Sequence, residues 1–350
     1  MRIKKLDGFR GIFSLMIVFL HTSDELLPNF MTSFYLTKES FIFVDFFFVL
    51  SGFVITLNYN KIKSNNGLKK YLKKRFIRLY PLLIFSSIIS LVLSIIILND
   101  LNLIGFFNSI SLLNSTPFPN IFYSLVSGSE TIMNLDNGVY LPSWSISSEF
   151  ITYLIFGFIT VYFFHKRNVI FILLIIVSFV FCYVKGGYWS FTGGLGIFRG
   201  IVSFFMGSLV FDYSKKINKI KSFNSFVELV SIVGFFILTY YHSNLIGIKK
   251  EIFGMLTLPL YFGSLIFLFS KSNGLISRLL ESKMFQFLGM ISYSIYLNHS
   301  IIVNIFELLN SKYTYNLTFY IMLLFIVVYS YLTFKIIENK GGEWLRKKLI

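Results

Sequence analysis

Ten apolar stretches of about twenty residues punctuate this 350-residue chain, and their length limits what it can fold into. They cover 9–27, 41–59, 79–98, 146–164, 169–184, 195–211, 226–242, 252–269, 285–306 and 317–334. About twenty helical residues cross the ~30 Å hydrocarbon core of a bilayer. Within that core every backbone N–H and C=O must be satisfied inside the segment or around a closed barrel. The stretches lack the strict apolar–polar alternation of a barrel strand. The pattern predicts an all-α integral membrane protein, a polytopic bundle of about ten transmembrane helices forming a single domain over 1–350. Charge agrees with this. Asp, Glu, Lys and Arg make up 14% of the chain, too little to cover a soluble globule, which carries about 25%.

The net charge is +16, from 32 Lys and Arg against 16 Asp and Glu. In a soluble chain that balance would point to nucleic acid. Here it points to basic cytoplasmic loops, and no nucleic-acid partner is expected. With the N-terminus inside and ten spans, the inner segments hold 25 Lys and Arg and the outer ones 5. The asymmetry predicts a multi-pass protein of the cell (cytoplasmic) membrane with both termini cytoplasmic. The lone Cys182 lies in an apolar run, so no disulfide framework is expected. The start, MRIKKLDGFRG, is basic, but the stretch behind it lacks a small-residue cleavage site and reads as a retained first span. The longest outer segment, 99–145, has only Asp100, Glu130 and Asp136 as charges. Its LIGFFNSISLLN would lie flat on the membrane or re-enter it. No appended soluble domain is expected at either end.

The polar residues within the apolar stretches carry the functional information. Arg10 and His21 are eleven residues apart, a rotation about 20° beyond three helical turns, so they share one face about 16 Å apart along the axis. Ser14 and Ile17 lie on the same stripe. Asp24 follows His21 by three, within side-chain reach. Two readings are open. Arg10 snorkels to phosphates while His21 makes an interfacial contact, or the pair faces an interior cavity and works there. An Arg at mid-span costs about 2.5 kcal/mol or more, which favours the second. Asp45, deep in VDFFFVLSGFVIT, needs a partner such as Arg10, in a structural ion pair or in a site. Ser51 and Gly52 allow close helix approach.

LKKYLKKRFIRLYPLL reads as an amphipathic helix on the inner leaflet, with Lys69, Lys70, Lys73 and Lys74 towards lipid headgroups. Arg75 and Arg78 are three apart beside the next span, a spacing that suits a phosphate or diphosphate. Pro81 marks where this helix turns into the membrane. In LPSWSISSEF, Ser143 or Ser145 is a candidate N-cap and Trp144 an interfacial anchor. Glu149, inside the span, would orient a histidine or take a proton. Arg199, at the outer start of the sixth stretch, either snorkels or serves a site. LGMISYSIYLNHSI places Ser292, Tyr296 and His299 on one helix face, as an interhelical polar patch or a functional one. There is no His pair at i, i+4 and no Cys cluster, so no metal is expected. Neither a P-loop nor a Gly-x-Ser-x-Gly elbow is present.

Taken in order, these pieces resemble the acyltransferase-3 family, the bacterial membrane O-acyltransferases that decorate polysaccharides. They are LDGFRG with ten residues between Arg10 and His21, VDFFFVLSGFVIT, KRFIRLYP, WSISSEF, Arg199 before a Phe- and Gly-rich span, and LGMISYSIYLNH. The resemblance covers essentially the whole chain and also implies about ten helices. It implies an O-acyltransferase moving an acyl group, usually acetyl, from cytoplasmic acyl-CoA to a hydroxyl of a cell-surface or lipid-linked glycan. Acetyl-CoA would be a co-substrate, with no cofactor bound permanently. His21 would be the catalytic base or a transient acyl carrier, with Asp24 or Glu149 orienting its ring. Arg10, Arg75 and Arg78 would hold the donor. Trp144, Ser147, Arg199, Tyr296 and His299 would lie in the acceptor or motif region.

Departures from the family pattern fall beside these motifs. Ile12 and Phe13 follow Gly11 where small residues are common, and Phe150 and Ile151 follow Glu149 where a bulky residue and Gln are usual. Some relatives carry an extra outside hydrolase-like domain. Without one, the chain would transfer directly or hand the acyl group to a separate extracytoplasmic transferase partner. The competing class is a transporter or flippase for a glycan or acyl intermediate, without transferase chemistry. Its marks, repeat symmetry or Gly- and Pro-broken paired spans, are not seen.

Overall fold

The computed structural model describes residues 3–60, 62, 64–98, 101, 103–116, 142–185, 187, 195–215, 222–310 and 318–350. In chain order the helices are α1 (Lys4–Leu20), α2 (Asn29–Thr32), α3 (Tyr35–Lys38), α4 (Phe43–Tyr59) and α5 (Asn65–Leu98). Next come α6 (Leu103–Ile110), α7 (Ser143–Tyr162), α8 (Arg167–Val184), α9 (Gly196–Ser214) and α10 (Ser225–Ser243). The last are α11 (Gly247–Lys271), α12 (Leu275–Leu280), α13 (Lys283–Asn310), α14 (Thr318–Thr333) and α15 (Gly342–Leu349). A π-helical stretch, Phe334–Gly341, joins the final two. Among the described residues there is no strand, only an isolated bridge between Phe223 and Ser272.

Each of the ten predicted stretches contains a long helix. Among the described residues, eight helical segments are long and apolar enough to cross a membrane, which makes this an all-α multi-pass membrane protein. The other two of the ten are α1, at 17 residues, and α13, whose middle is diluted by Ser, Asn and His. Of the outer segment, Asp100 and residues 117–141, with Glu130 and Asp136, lie outside the described residues, as does Lys312. LIGFFNSI forms α6, which packs on α5 and α7.

Two boundaries differ from the sequence reading. The first stretch was expected to run to 27, but α1 stops at Leu20 and His21 becomes its C-cap. The polar run from Thr22 to Glu25 offers turn-forming side chains that compete with helix. The expected amphipathic helix and third span are instead one 34-residue helix with Pro81 inside it. Burial of Ile77, Leu79, Leu82 and Leu83 accompanies the unbroken course. Tertiary packing there overrides the local preference of proline.

By its internal packing the chain divides into two compact units. The first comprises Met1–Asn60, His165–Trp189 and Ile201–Tyr293. Its centre is aromatic: the Phe13 and Phe43 rings stack at 4.2 Å, Phe9 meets Phe269 edge-on at 4.8 Å, and Phe46 meets Phe262 at 5.6 Å. In lipid, helices associate through close packing rather than through expulsion of water. Two crossings of glycine make this possible. A Cβ on Gly52 would sit 1.8 Å from the Phe204 carbonyl oxygen, and one on Gly207 would sit 1.9 Å from that of Val49. The two glycines therefore seat α4 and α9 against each other reciprocally. The close approach expected at Gly52 is present. Likewise a Cβ on Gly11 would meet Leu288 and Gly289 at 2.6–2.7 Å, and one on Gly289 would meet the Asp7 carbonyl oxygen at 2.1 Å. The glycines of LDGFRG thus have a packing reason. Lys5 adds hydrogen bonds to the Ser272 carbonyl and to Asn273 Oδ1, the latter 3.0 Å long.

The second unit comprises Lys61–Phe164, Ser190–Gly200 and Ser294–Ile350. Here α5 packs along α7, with Tyr71 against Tyr153 and Phe156. A buried polar bridge ties three helices. Ser86 donates to Asn298 Oδ1 at 2.9 Å, and Asn298 Nδ2 donates to Thr333 Oγ1 at 2.8 Å. Such interhelical hydrogen bonds contribute about 0.6–2 kcal/mol each in a membrane.

Candidate functional site

In the second unit, α7 opens on Pro142 without a side-chain cap, so neither Ser143 nor Ser145 is the expected N-cap. Their hydroxyls make tertiary bonds instead. Ser143 Oγ accepts from Asn114 Nδ2 at 2.6 Å, and Ser147 Oγ meets both the N–H (3.2 Å) and the hydroxyl (3.0 Å) of Ser115. Ser145 donates back to the Pro142 carbonyl, and its oxygen lies 2.6 Å from the Tyr296 hydroxyl. A hydroxyl has one proton to give. The Tyr296 O–H is therefore the donor, and it fastens α13 to the first turn of α7.

Trp144 and Arg199 are not the edge groups expected. Trp144 is buried, and Arg199 is 1% exposed, its guanidinium carbon 5.5 Å from the Trp144 ring centroid. Charge against an aromatic face offsets part of the cost of burying the cation. Further along α7, Tyr153 donates its hydroxyl proton to Glu149 Oε1, one turn before it. Arg75 stands 5.9 Å from the Tyr153 ring centroid. Arg75, Arg78 and Glu149 all act electrostatically on Tyr153, and Arg199 and Glu149 act on Tyr296. The fold thus gathers Arg75, Arg78, Tyr153, Glu149, Tyr296 and Arg199 into one charged patch. Of these, Tyr153 reads in the sequence as an aromatic that keeps the family pattern, with no site role given to it; the signal for one is its i, i+4 spacing from Glu149.

His299 is 1% exposed, and its Nδ1 lies 2.7 Å from the Tyr296 carbonyl oxygen. A carbonyl only accepts, so Nδ1 carries the proton and the neutral ring's basic nitrogen is Nε2. Ser292 belongs to the first unit, where its hydroxyl donates to the Gly289 carbonyl.

In the first unit, α1 carries Arg10 and His21. Arg10 pairs with Asp7 one turn earlier at 3.7 Å. His21 is exposed, and its Nδ1 lies 3.0 Å from the Ile17 carbonyl oxygen. By the same reasoning Nδ1 donates there and Nε2 is the nitrogen that accepts a proton. Between them Ser14 and Ile17 are fully buried, so the stripe is covered at its centre and more open at its ends. Asp24 does not continue the helix. It lies past the end of α1 and makes an exposed ion pair with Lys38 at 3.7 Å. The group seen holding the His21 ring is the Ile17 carbonyl. Asp45 is fully buried and accepts from Ser203 Oγ at 2.7 Å.

Two buried clusters of the first unit escaped the sequence reading because their members lie far apart in the chain. Glu228 accepts the N–H groups of Gly274 (2.8 Å), Ile276 (2.9 Å) and Ser277 (3.3 Å), and so caps α12. Glu39 accepts from His242 Nδ1 at 3.0 Å and from Lys250 Nζ at 2.5 Å. Burial pushes the Glu39 carboxyl up, but the bonds and charges of His242 and Lys250 outweigh that and hold it below the usual carboxylate range. A carboxyl with a lowered folded-state value contributes stability above its unfolded value and loses it as pH falls through the lowered one. The thermal midpoint is therefore expected to drop on acidification through and below the ordinary carboxylate range. A Glu39→Gln variant should lack that component of the drop. Equal drops in the two proteins would remove Glu39 as its source.

Among the described residues no group of three His, Cys, Asp or Glu could hold a metal ion. Residues 3–335 match the family model of the acyltransferase-3 type, described as an acyltransferase domain. Over an alignment of 156 residues, which covers 42% of this chain and 76% of the relative, the chain is 30% identical to a protein of Rhizobium radiobacter named Protein 2 in picA locus. No solved structure matches the chain.

Proposed function

Because this chain belongs to the acyltransferase-3 family and is a membrane acyltransferase, we propose that it moves an acetyl group from cytoplasmic acetyl-CoA to a hydroxyl of a cell-surface or lipid-linked glycan. The observation that carries the chemistry is the tautomer of His21. The Ile17 carbonyl takes the Nδ1 proton, which makes Nε2 the basic nitrogen of a side chain exposed at the end of α1. A sugar hydroxyl is a weak nucleophile near neutral pH and needs such a base. His21 Nε2 removes the hydroxyl proton as the oxygen attacks the thioester carbonyl. The C–S bond breaks, and the departing thiolate takes the proton back from His21, so the products are the O-acetyl ester and the free thiol.

The remaining roles follow the charges. Arg75 and Arg78 hold the donor's phosphates, which suit paired guanidinium groups, and Arg10 is a further donor-binding residue. Glu149, with Tyr153 bonded to it, receives the acceptor's hydroxyls. Trp144, Ser147, Arg199, Tyr296 and His299 shape the acceptor region. The Lys and Arg asymmetry supports a cytoplasmic membrane location with both ends inside.

The test uses purified full-length protein with acetyl-CoA, following free thiol. Replacing Arg75 and Arg78 by Gln is expected to raise the donor KM about 10–100-fold, with a smaller change in kcat. A protein that neither binds nor consumes acetyl-CoA would overturn the reading in favour of a transporter.

A further inference from the structure

The start of α5 and the whole of α15, far apart in sequence, lie side by side in the second unit. Gly342 is buried, Ile77 lies next to it, and Lys73 Nζ donates to the Leu349 carbonyl at 2.9 Å. These two contacts set α15 antiparallel to the first turns of α5. The outward side of the pair carries the exposed cations Lys69, Lys70, Lys73, Arg346, Lys347 and Lys348. The acidic residue of α15 is Glu343, and α5 has none. Beside the cations the pair exposes apolar groups: Trp344 at 56%, Leu349 at 44% and Ile350 at 45%. Lys348 Nζ stands 4.2 Å from the Trp344 ring centroid.

Depth places this surface. At 34 residues α5 is about 51 Å long, well beyond a ~30 Å hydrocarbon core. Its apolar part begins near Leu79, six residues or about 9 Å past Lys73. The headgroup layer is about 5–7 Å deep on each side. Lys73 and the adjoining α15 therefore lie at or just beyond headgroup level. Basic side chains flanked by an exposed Trp and aliphatic groups are the chemistry of an interfacial helix.

We propose that α15, clamped to the start of α5, is a docking surface for anionic phospholipid headgroups. Phosphate chemistry alone would also fit a free nucleotide. The exposed Trp344, Leu349 and Ile350 decide for lipid, because they gain from entering the acyl boundary and would gain nothing from a soluble anion.

The test is thermal unfolding of the purified full chain in mixed micelles. Dioleoyl phosphatidylglycerol should raise the midpoint by about 3 °C or more over dioleoyl phosphatidylcholine. The rise should vanish in 0.5 M salt, on the order of a 4–5 Å screening length. A variant with Lys69, Lys70, Arg346 and Lys347 changed to Gln, which spares the Lys73 bond, should lose most of the rise. Trp344→Ala should lose part of it. Equal midpoints in the two lipids overturn the proposal, as does a full rise in the Gln variant. Displacement of the lipid effect by adenosine 3′,5′-bisphosphate overturns it too, because it would assign the patch to a soluble nucleotide.

Discussion

His21→Ala is expected to lower acyl transfer by about 10²–10⁴-fold while the protein still accumulates and folds. The side chain is exposed at the end of α1, and its Nδ1 is bonded to the Ile17 carbonyl of the same helix. Removing it leaves no cavity in the core. His21→Gln makes the comparison sharper. Glutamine can still donate to the Ile17 carbonyl, but it cannot take up a proton at neutral pH. If basicity is what matters, Gln is as inactive as Ala, and the wild-type rate rises with pH through the imidazole titration. If the glutamine variant keeps most of the rate, His21 is positioning and not the base. The readouts are thiol release from acetyl-CoA and the mass of the acetylated glycan.

Gly207→Ala is expected to cost more than ~3 kcal/mol, at or beyond the upper end of overpacking, and to remove most of the folded protein from membrane extracts. The added methyl would stand 1.9 Å from the Val49 carbonyl oxygen, and backbone cannot move aside as a flexible side chain does. Gly52→Ala, at 1.8 Å from the Phe204 carbonyl oxygen, should behave alike. Gly341→Ala is the internal control. There the nearest atom would be 3.6 Å away, so the change should be neutral or slightly stabilising. Detergent-resistant folding by size-exclusion chromatography separates the cases. Wild-type behaviour of Gly207→Ala would mean that α4 and α9 are not packed as tightly as these distances require.

Much of the architecture was legible in the chain because a bilayer leaves few choices. A twenty-residue apolar run must satisfy its own backbone, and a helix does so locally. The ten helices therefore appear where the runs do. Where polar residues interrupt, local rules were less decisive. The first span ended early at Leu20, and Pro81 passed through the middle of α5 without ending it. Periodicity put Arg10 and His21 on one stripe, and the course of α1 keeps it. One of the two partners expected for His21, besides Glu149, was Asp24, three residues on. The chain turns before reaching it, and the nearest carbonyl of the helix takes that place.

What the sequence determined by itself is the class of protein and the candidate residues: apolar length dictates spans, and an in-span charge flags itself by its cost. What only the tertiary structure decided is who stands beside whom. Arg199 looked like an edge cation and proved to be buried against Trp144, from a segment some fifty residues away. Tyr153 reads in the sequence as a family-pattern aromatic, and only the fold bonds it to Glu149 beside Arg75. The tautomer of His21 and the donor direction of Tyr296 likewise came from neighbouring carbonyl and hydroxyl oxygens. The physical reason is range. Helix formation follows from bonds four residues apart, whereas a desolvated polar group is satisfied by whichever partner the packing brings near, and no local pattern encodes that choice.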